Sequence, residues 1–292
     1  MGIVYTLISC FFSATIWVFV RQLSPEISID SQILLRLLVS STILYIIFYK
    51  YIRIKEILNI SGQDFAIILL RGISLYLIGT ALAASAIQES TYGSVVLILS
   101  LPFGSLIAVY LLNEKLQTKE IFSLLLSLVG VILVISDRHG VLAQFNIGIM
   151  KAILACFLMA LSLVSRRFQS KNLREIELTF ILLLLSGILF LGKMLILGRA
   201  IDLPQSYSSL GMVIASGIWT AGFLYFVGKA LMLIEVIKVN VIYGLQPIIA
   251  AVVGVFIYKE AISINLLMGI LCVIASILLV NLKFNFRRKY VQ

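Results

Sequence analysis

Among the basic side chains that interrupt otherwise apolar runs of this sequence, Arg36, Arg71, Lys193 and Lys229 are the candidates for chemistry. A charge at the centre of a bilayer costs at least about 2.5–3.5 kcal/mol, so each needs a reason to be there. Arg71 carries the sharpest chemistry, because a guanidinium is always protonated and grips a carboxylate through two parallel N–H donors. It stands about two turns into its run, near Gly72, Tyr76 and Gly79, which permit close helix approach. Facing a cavity and bracing the bundle are both open to it. Arg36 and Lys193 lie near the ends of their runs, where long side chains snorkel, so structural or lipid-facing roles are expected for them. Lys229, beside Gly228 near the inner end of its run, is open to a site role and equally to headgroup contact.

Aromatic and amide groups supply the remaining candidates. Trp17 and Trp219 lie deeper than an interfacial belt requires. Asn240, Tyr243, Gly244 and Gln246 form a polar cluster around Pro247 that is unusual for a lipid-facing helix. Pro102 and Pro247 sit near the middle of their runs, and each removes the donor for the carbonyl four residues earlier, at Ile98 and Tyr243. Such carbonyls bind a ligand or mark a packed kink. The expected substrate-binding set is therefore Trp17, Arg71, Trp219, Tyr243 and Gln246, with helix kinks at Pro102 and Pro247. Pairing aromatics with a few polar groups is the habit of small-molecule sites.

Covalent and metal chemistry find no such footing. The single histidine, His139, falls in an expected loop at 136–140 with no Cys/His spacing around it, so neither a metal site nor a catalytic triad is expected. Cys10, Cys156 and Cys272 lie inside apolar runs and read as small packing residues. All 13 acidic residues fall in loops or at the ends of runs, with Glu235 the nearest to an exception. A buried carboxylate is the usual proton relay and the usual partner of a cationic drug, so the sequence supports neither proton coupling nor cation binding. No enzyme activity and no cofactor are expected.

The elements that must position these residues follow from composition. Of 292 residues, 61% are hydrophobic and 12% charged, against roughly 45–50% and about 25% in soluble domains. Apolar runs occur at residues 3–20, 33–49, 65–84, 92–112, 121–135, 147–164, 178–197, 210–231, 236–258 and 266–282. They predict an all-α polytopic membrane protein of ten transmembrane helices, since helices satisfy their own backbone in lipid. The net charge of +10 does not indicate nucleic acid, because the basic residues punctuate apolar runs instead of lining one face. The expected partners are the lipid bilayer and a small-molecule substrate, with the chain a monomer or homodimer.

An internal repeat divides the chain at residues 1–137 and 138–292. At a displacement of 146, Gly2, Cys10, Phe11, Ala14 and Arg21 fall on Gly148, Cys156, Phe157, Ala160 and Arg167. Pro102 and Glu114 fall near Pro247 and Glu260. Each half holds five runs, an odd number, so the second enters the membrane from the opposite side. Inverted repeats of this kind accompany alternating access. With both termini in the cytoplasm, the basic residues of the short loops and tails divide thirteen inside to four outside. That ratio fixes the expected orientation in a bacterial cytoplasmic (inner) membrane.

The sequence resembles a ten-helix member of the drug/metabolite transporter superfamily built from two EamA-type halves. The likeness is carried by Trp17, Arg36, the stretch from Pro102 to Glu114 and its counterpart from Pro247 to Glu260. The Arg71-Gly72 start of the third run is similar to a subgroup that includes S-adenosylmethionine uptake carriers. One departure is that Pro102 to Glu114 is a residue shorter than the interval Pro247 to Glu260 preserves. The resemblance implies transport of a small organic metabolite, with the first four helices of each half around a central cavity and the fifth pairing the halves. An amino acid or related zwitterionic or anionic solute suits Arg71. Export of drugs or toxic metabolites, and a non-transporting sensor or scaffold, are the competing expectations.

Overall fold

The computed structural model describes residues 1–89, 103–115, 117–139, 147–169, 172–258 and 264–281. Among these residues all regular structure is helical. The elements are α1 (Gly2–Leu23), α2 (Ile29–Phe48), a short α3 (Ile54–Leu58), α4 (Gly62–Gly72), a π-helical segment (Ile73–Thr80) and α5 (Ala81–Glu89). They continue as α6 (Phe103–Leu112), α7 (Thr118–His139), α8 (Ile147–Ser165), a 3-10 turn (Arg166–Phe168), α9 (Glu175–Ile196), α10 (Tyr207–Leu233), α11 (Val236–Tyr243), α12 (Gln246–Tyr258) and α13 (Ile264–Asn281). His139 is the last residue of α7 and not part of a loop, because the apolar run carries its helix past Asp137.

Six helical stretches among the described residues are long and apolar enough to cross a bilayer, one of them the continuous α4–π–α5 element. At most 50% of the apolar window of any of these is buried inside the bundle. The remaining apolar surface faces outward, as in Ile46, Ile47, Leu125 and Leu278, and water would not tolerate so much of it. The chain is an integral membrane protein.

Packing follows a reciprocal pattern. Helix α1 lies along α10, and α8 lies along the α4–π–α5 element. Helix α1 also meets α11 and α12, as α8 meets α6. Helix α2 packs on α9, α6 on α11, and α7 pairs with α13. Small residues set the distances: a Cβ on Gly217 of α10 would lie 2.6 Å from Val39 of α2, and the Gly217 carbonyl accepts the Ser40 hydroxyl at 2.8 Å.

The bundle has two ends, each tied by polar groups. Gly2 meets Leu233 and Ile234, which identifies the end bearing the N-terminus. There Arg53 bonds Glu177 at 2.8 Å, Arg166 bonds Glu175 at 2.7 Å, and Glu114 accepts the free N–H groups of Val236 and Ile237 that open α11. At the opposite end Asp30 pairs with Lys193 at 2.9 Å and with Arg199. Nearby, Ser209 donates to Glu26, and the Ser28 N–H donates to Asp202 at 3.0 Å.

Candidate functional site

Between these two ends lies a cavity of about 90 Å³ lined by both halves of the chain. Sequence dictates its walls through helical spacing: Thr220, Phe223, Val227 and Leu231 project from one face of α10. From α8 come Cys156, Met159, Ala160 and Leu163, and the π-helical segment adds Leu75, Tyr76 and Thr80. The Thr80 hydroxyl donates to the Leu75 carbonyl at 2.7 Å, satisfying one acceptor of the widened turn.

Three of the five expected binding residues meet here: Trp17, Tyr243 and Gln246. Each is fixed by its surroundings. Tyr243 is buried, its hydroxyl hydrogen-bonded to Ser9 at 3.0 Å. Gln246 donates to the Ser13 hydroxyl at 2.9 Å, tying α12 to α1. Asn240 completes this polar wall, donating to the Val236 carbonyl at 3.1 Å. Gly104 leaves it room, since a Cβ there would lie 2.5 Å from the Asn240 amide nitrogen.

The other two stand outside the cavity walls. Arg71 lies a helical turn nearer the N-terminal end than Leu75, and α8 satisfies it. Its Nε donates to the Ser162 carbonyl at 3.1 Å and its Nη1 to Gln169 at 2.6 Å, so it braces α4 against α8. Trp219 is half-buried between α10 and α1, donates to Thr15 at 2.7 Å, and packs edge-on against Phe12 and Phe19. Its neighbour Thr220 turns into the cavity instead. Pro247 is the second residue of α12, beyond a break at Gly244 and Leu245, and not in mid-helix. Proline is tolerated at the start of a helix because the N–H there has no intrahelical partner. Pro102 lies outside the described residues.

Arg36, expected to be structural or lipid-facing, is 3% exposed and lines the cavity. The physical reason is the face of α2 it occupies, shared with the buried Leu37 and Ser40 that pack into the bundle. Lys193 is anchored by Asp30 and lies over the Phe190 ring at 4.4 Å. Among the described residues lining the cavity, Arg36 is the only charged one. Its Nε has no hydrogen-bond partner. The one-face periodicity of Thr220, Phe223, Val227 and Leu231 was the signal available for the α10 wall. The described residues hold no group of His, Cys, Asp and Glu able to bind a metal ion.

A helical membrane bundle around a mostly apolar cavity, with a few polar groups and one charge on its described walls, is an architecture suited to a transporter. Comparison with known proteins agrees. The model of the EamA-like transporter family matches residues 1–136 and again 146–282, and the chain belongs to that family. An uncharacterized transporter of Clostridium kluyveri is 22% identical over 283 residues, covering 94% of this chain and 90% of the relative. A protein crystal structure superposes with a TM-score of 0.77 at 15% identity, covering 96% of both chains, and so shares the fold.

Proposed function

We propose that the protein carries a small organic metabolite, an amino acid or a related zwitterionic or anionic solute such as S-adenosylmethionine, across a bacterial cytoplasmic membrane by alternating access. The observation that carries this reading is the central cavity walled by both halves, with separate sets of polar ties at the two ends of the bundle. Ligand pockets span roughly 300–1,000 Å³. At about 90 Å³ the cavity is contracted, so admitting a solute requires helices to part at one end.

The halves at 1–137 and 138–292 are the units that rock. Two successive matches to one family model support this, as does packing that repeats when α1 is exchanged for α8 and α10 for α4–π–α5. Opening toward either side would release one set of end ties, Arg166–Glu175 with Glu114–α11, or Asp30–Lys193 with Glu26–Ser209. Neither set shares a residue with the other.

Reconstitution in proteoliposomes tests the reading directly. Radiolabelled amino acids and related metabolites should accumulate against an internal pool by exchange, and Trp17→Ala should lower the rate. No movement of any member of the panel would sink the carrier reading. Orientation is tested separately: reporter fusions after Gln292 and within residues 137–140 should give opposite signals, with the C-terminal one cytoplasmic. Equal signals would refute the assignment.

A further inference from the structure

We propose that Arg36 anchors a carboxylate of the transported solute, so that the cavity selects monoanionic and zwitterionic carboxylates over phosphate esters and over amines lacking an acid. This deepens the carrier reading above and rests on it.

The first ground is how this arginine differs from the other deeply placed cations. Arg71 is held by Ser162 and Gln169. Arg166 is held by Glu175, and Lys193 by Asp30. Arg36 is as buried as Arg71 and Arg166, and although Arg166 also leaves its Nη1 unbonded, Arg36 has an unbonded Nε and no carboxylate paired with it among the described residues. A buried charge without a partner is strongly disfavoured, so a site that retains one is built to receive its partner from outside. Depth argues the same way. Seven residues separate Arg36 from the start of α2, or about 10 Å at the helical rise, and at 3% exposure the side chain does not escape to the surface.

The second ground is rigidity. Ser40, one turn on, donates to the Arg36 carbonyl and to the Gly217 carbonyl of α10, which fixes this part of α2 against its neighbour. Leu34 and Leu37, on either side, are 1% and 0% exposed. The guanidinium is therefore presented from a packed helix and loses little freedom when it binds.

Charge then selects the ligand. With Arg36 as the single charge on the described walls, a monoanion neutralises the site, whereas a dianionic phosphate ester leaves excess negative charge in a low-dielectric space. A cation without an acid is repelled by Arg36 and brings no carboxylate to offset it. The ammonium of a zwitterion has the faces of Trp17 and Tyr76 and the amide oxygens of Asn240 and Gln246 within the same cavity.

The test uses the full chain in detergent with Trp219→Phe, which leaves Trp17 in the cavity wall as the only tryptophan. Its fluorescence is titrated with 3-phenylpropionate, L-phenylalanine, their two carboxamides and phenyl phosphate. Both carboxylates should give a saturable change, and the amides and phosphate should bind at least about tenfold more weakly, the loss of a charge-assisted pair. Arg36→Lys should weaken carboxylate binding and Arg36→Gln abolish it. The acid-to-amide comparison needs no change at Arg36, so a poorly folding variant does not spoil it. Equal binding of acid and amide, tighter binding of the phosphate, or no response to any ligand would overturn the proposal. Flux of uncharged solutes that survives Arg36→Gln would refute this site and leave the carrier standing. Carboxylate binding without any flux would do the reverse.

Discussion

Glu175→Gln should destabilise the protein more than Arg166→Gln, although the two residues form one ion pair. The pair is 2.7 Å long, with side chains 3% and 5% exposed, at the end of the bundle that bears the N-terminus. Removing one member of a buried pair costs about 3–5 kcal/mol, because the survivor is left charged and unpaired. The asymmetry comes from Arg71, which lies close enough to feel both Arg166 and Glu175 electrostatically. Without Glu175, the two buried guanidiniums lose the carboxylate whose charge offsets both. Without Arg166, Glu175 still has Arg71 for company. Gly228→Ala should act in the same direction, since its Cβ would sit 1.8 Å from the Glu175 carboxylate oxygen and force it out of place. The thermal midpoint of the purified protein and the yield of monodisperse material read the effect. A Glu175→Gln protein as stable as the parent would refute it.

This cluster also shows where sequence reasoning stopped. Acids at the ends of apolar runs look solvated in a linear string, yet Asp30, Glu175 and Glu177 are all buried. Their partners, Lys193 with Arg199, Arg166, and Arg53, come mostly from distant segments of the chain, and no local pattern announces a pairing across more than a hundred residues. The helices themselves were legible because lipid demands long apolar runs, and the expected starts and ends fall close to α1, α8 and α10. Family membership was legible too, through Trp17, Arg36 and the spaced proline and glutamate.

Site residues were legible by helix and only partly by face. Trp17, Tyr243 and Gln246 reach the cavity, while Arg71 and Trp219 lie on the right helices but point to neighbouring walls. A rotation of about 100° separates successive residues on a helix, so one position decides between lining and packing. Thr220 beside Trp219 is the case in point. Distance to the helix end makes Arg36 look peripheral, a measure blind to which side of α2 faces the bundle. Weakly amphipathic membrane helices give little warning of that side, because lipid and protein interior are both apolar.

The pairing of α7 with α13 should be the most sensitive to added bulk. Gly130 of α7 lies so close to α13 that a Cβ there would be 2.8 Å from the Gly269 carbonyl, 2.9 Å from Val273 and 3.0 Å from Cys272. Two of these are firm obstacles, a backbone oxygen and a Cβ, so no rotamer change makes room. Small residues at such crossings allow backbones to approach where no hydrophobic force drives association. Gly130→Ala should therefore cost about 1–3 kcal/mol as ordinary overpacking, and Gly130→Leu more, by prising the helices apart. None of the residues named for the cavity belongs to α7 or α13. The expected signature is thus a split: lowered thermal stability and faster proteolysis around α7 and α13, with carboxylate binding to the folded fraction retained. A Gly130→Leu protein with unchanged thermal midpoint would show that α7 and α13 do not meet at this glycine.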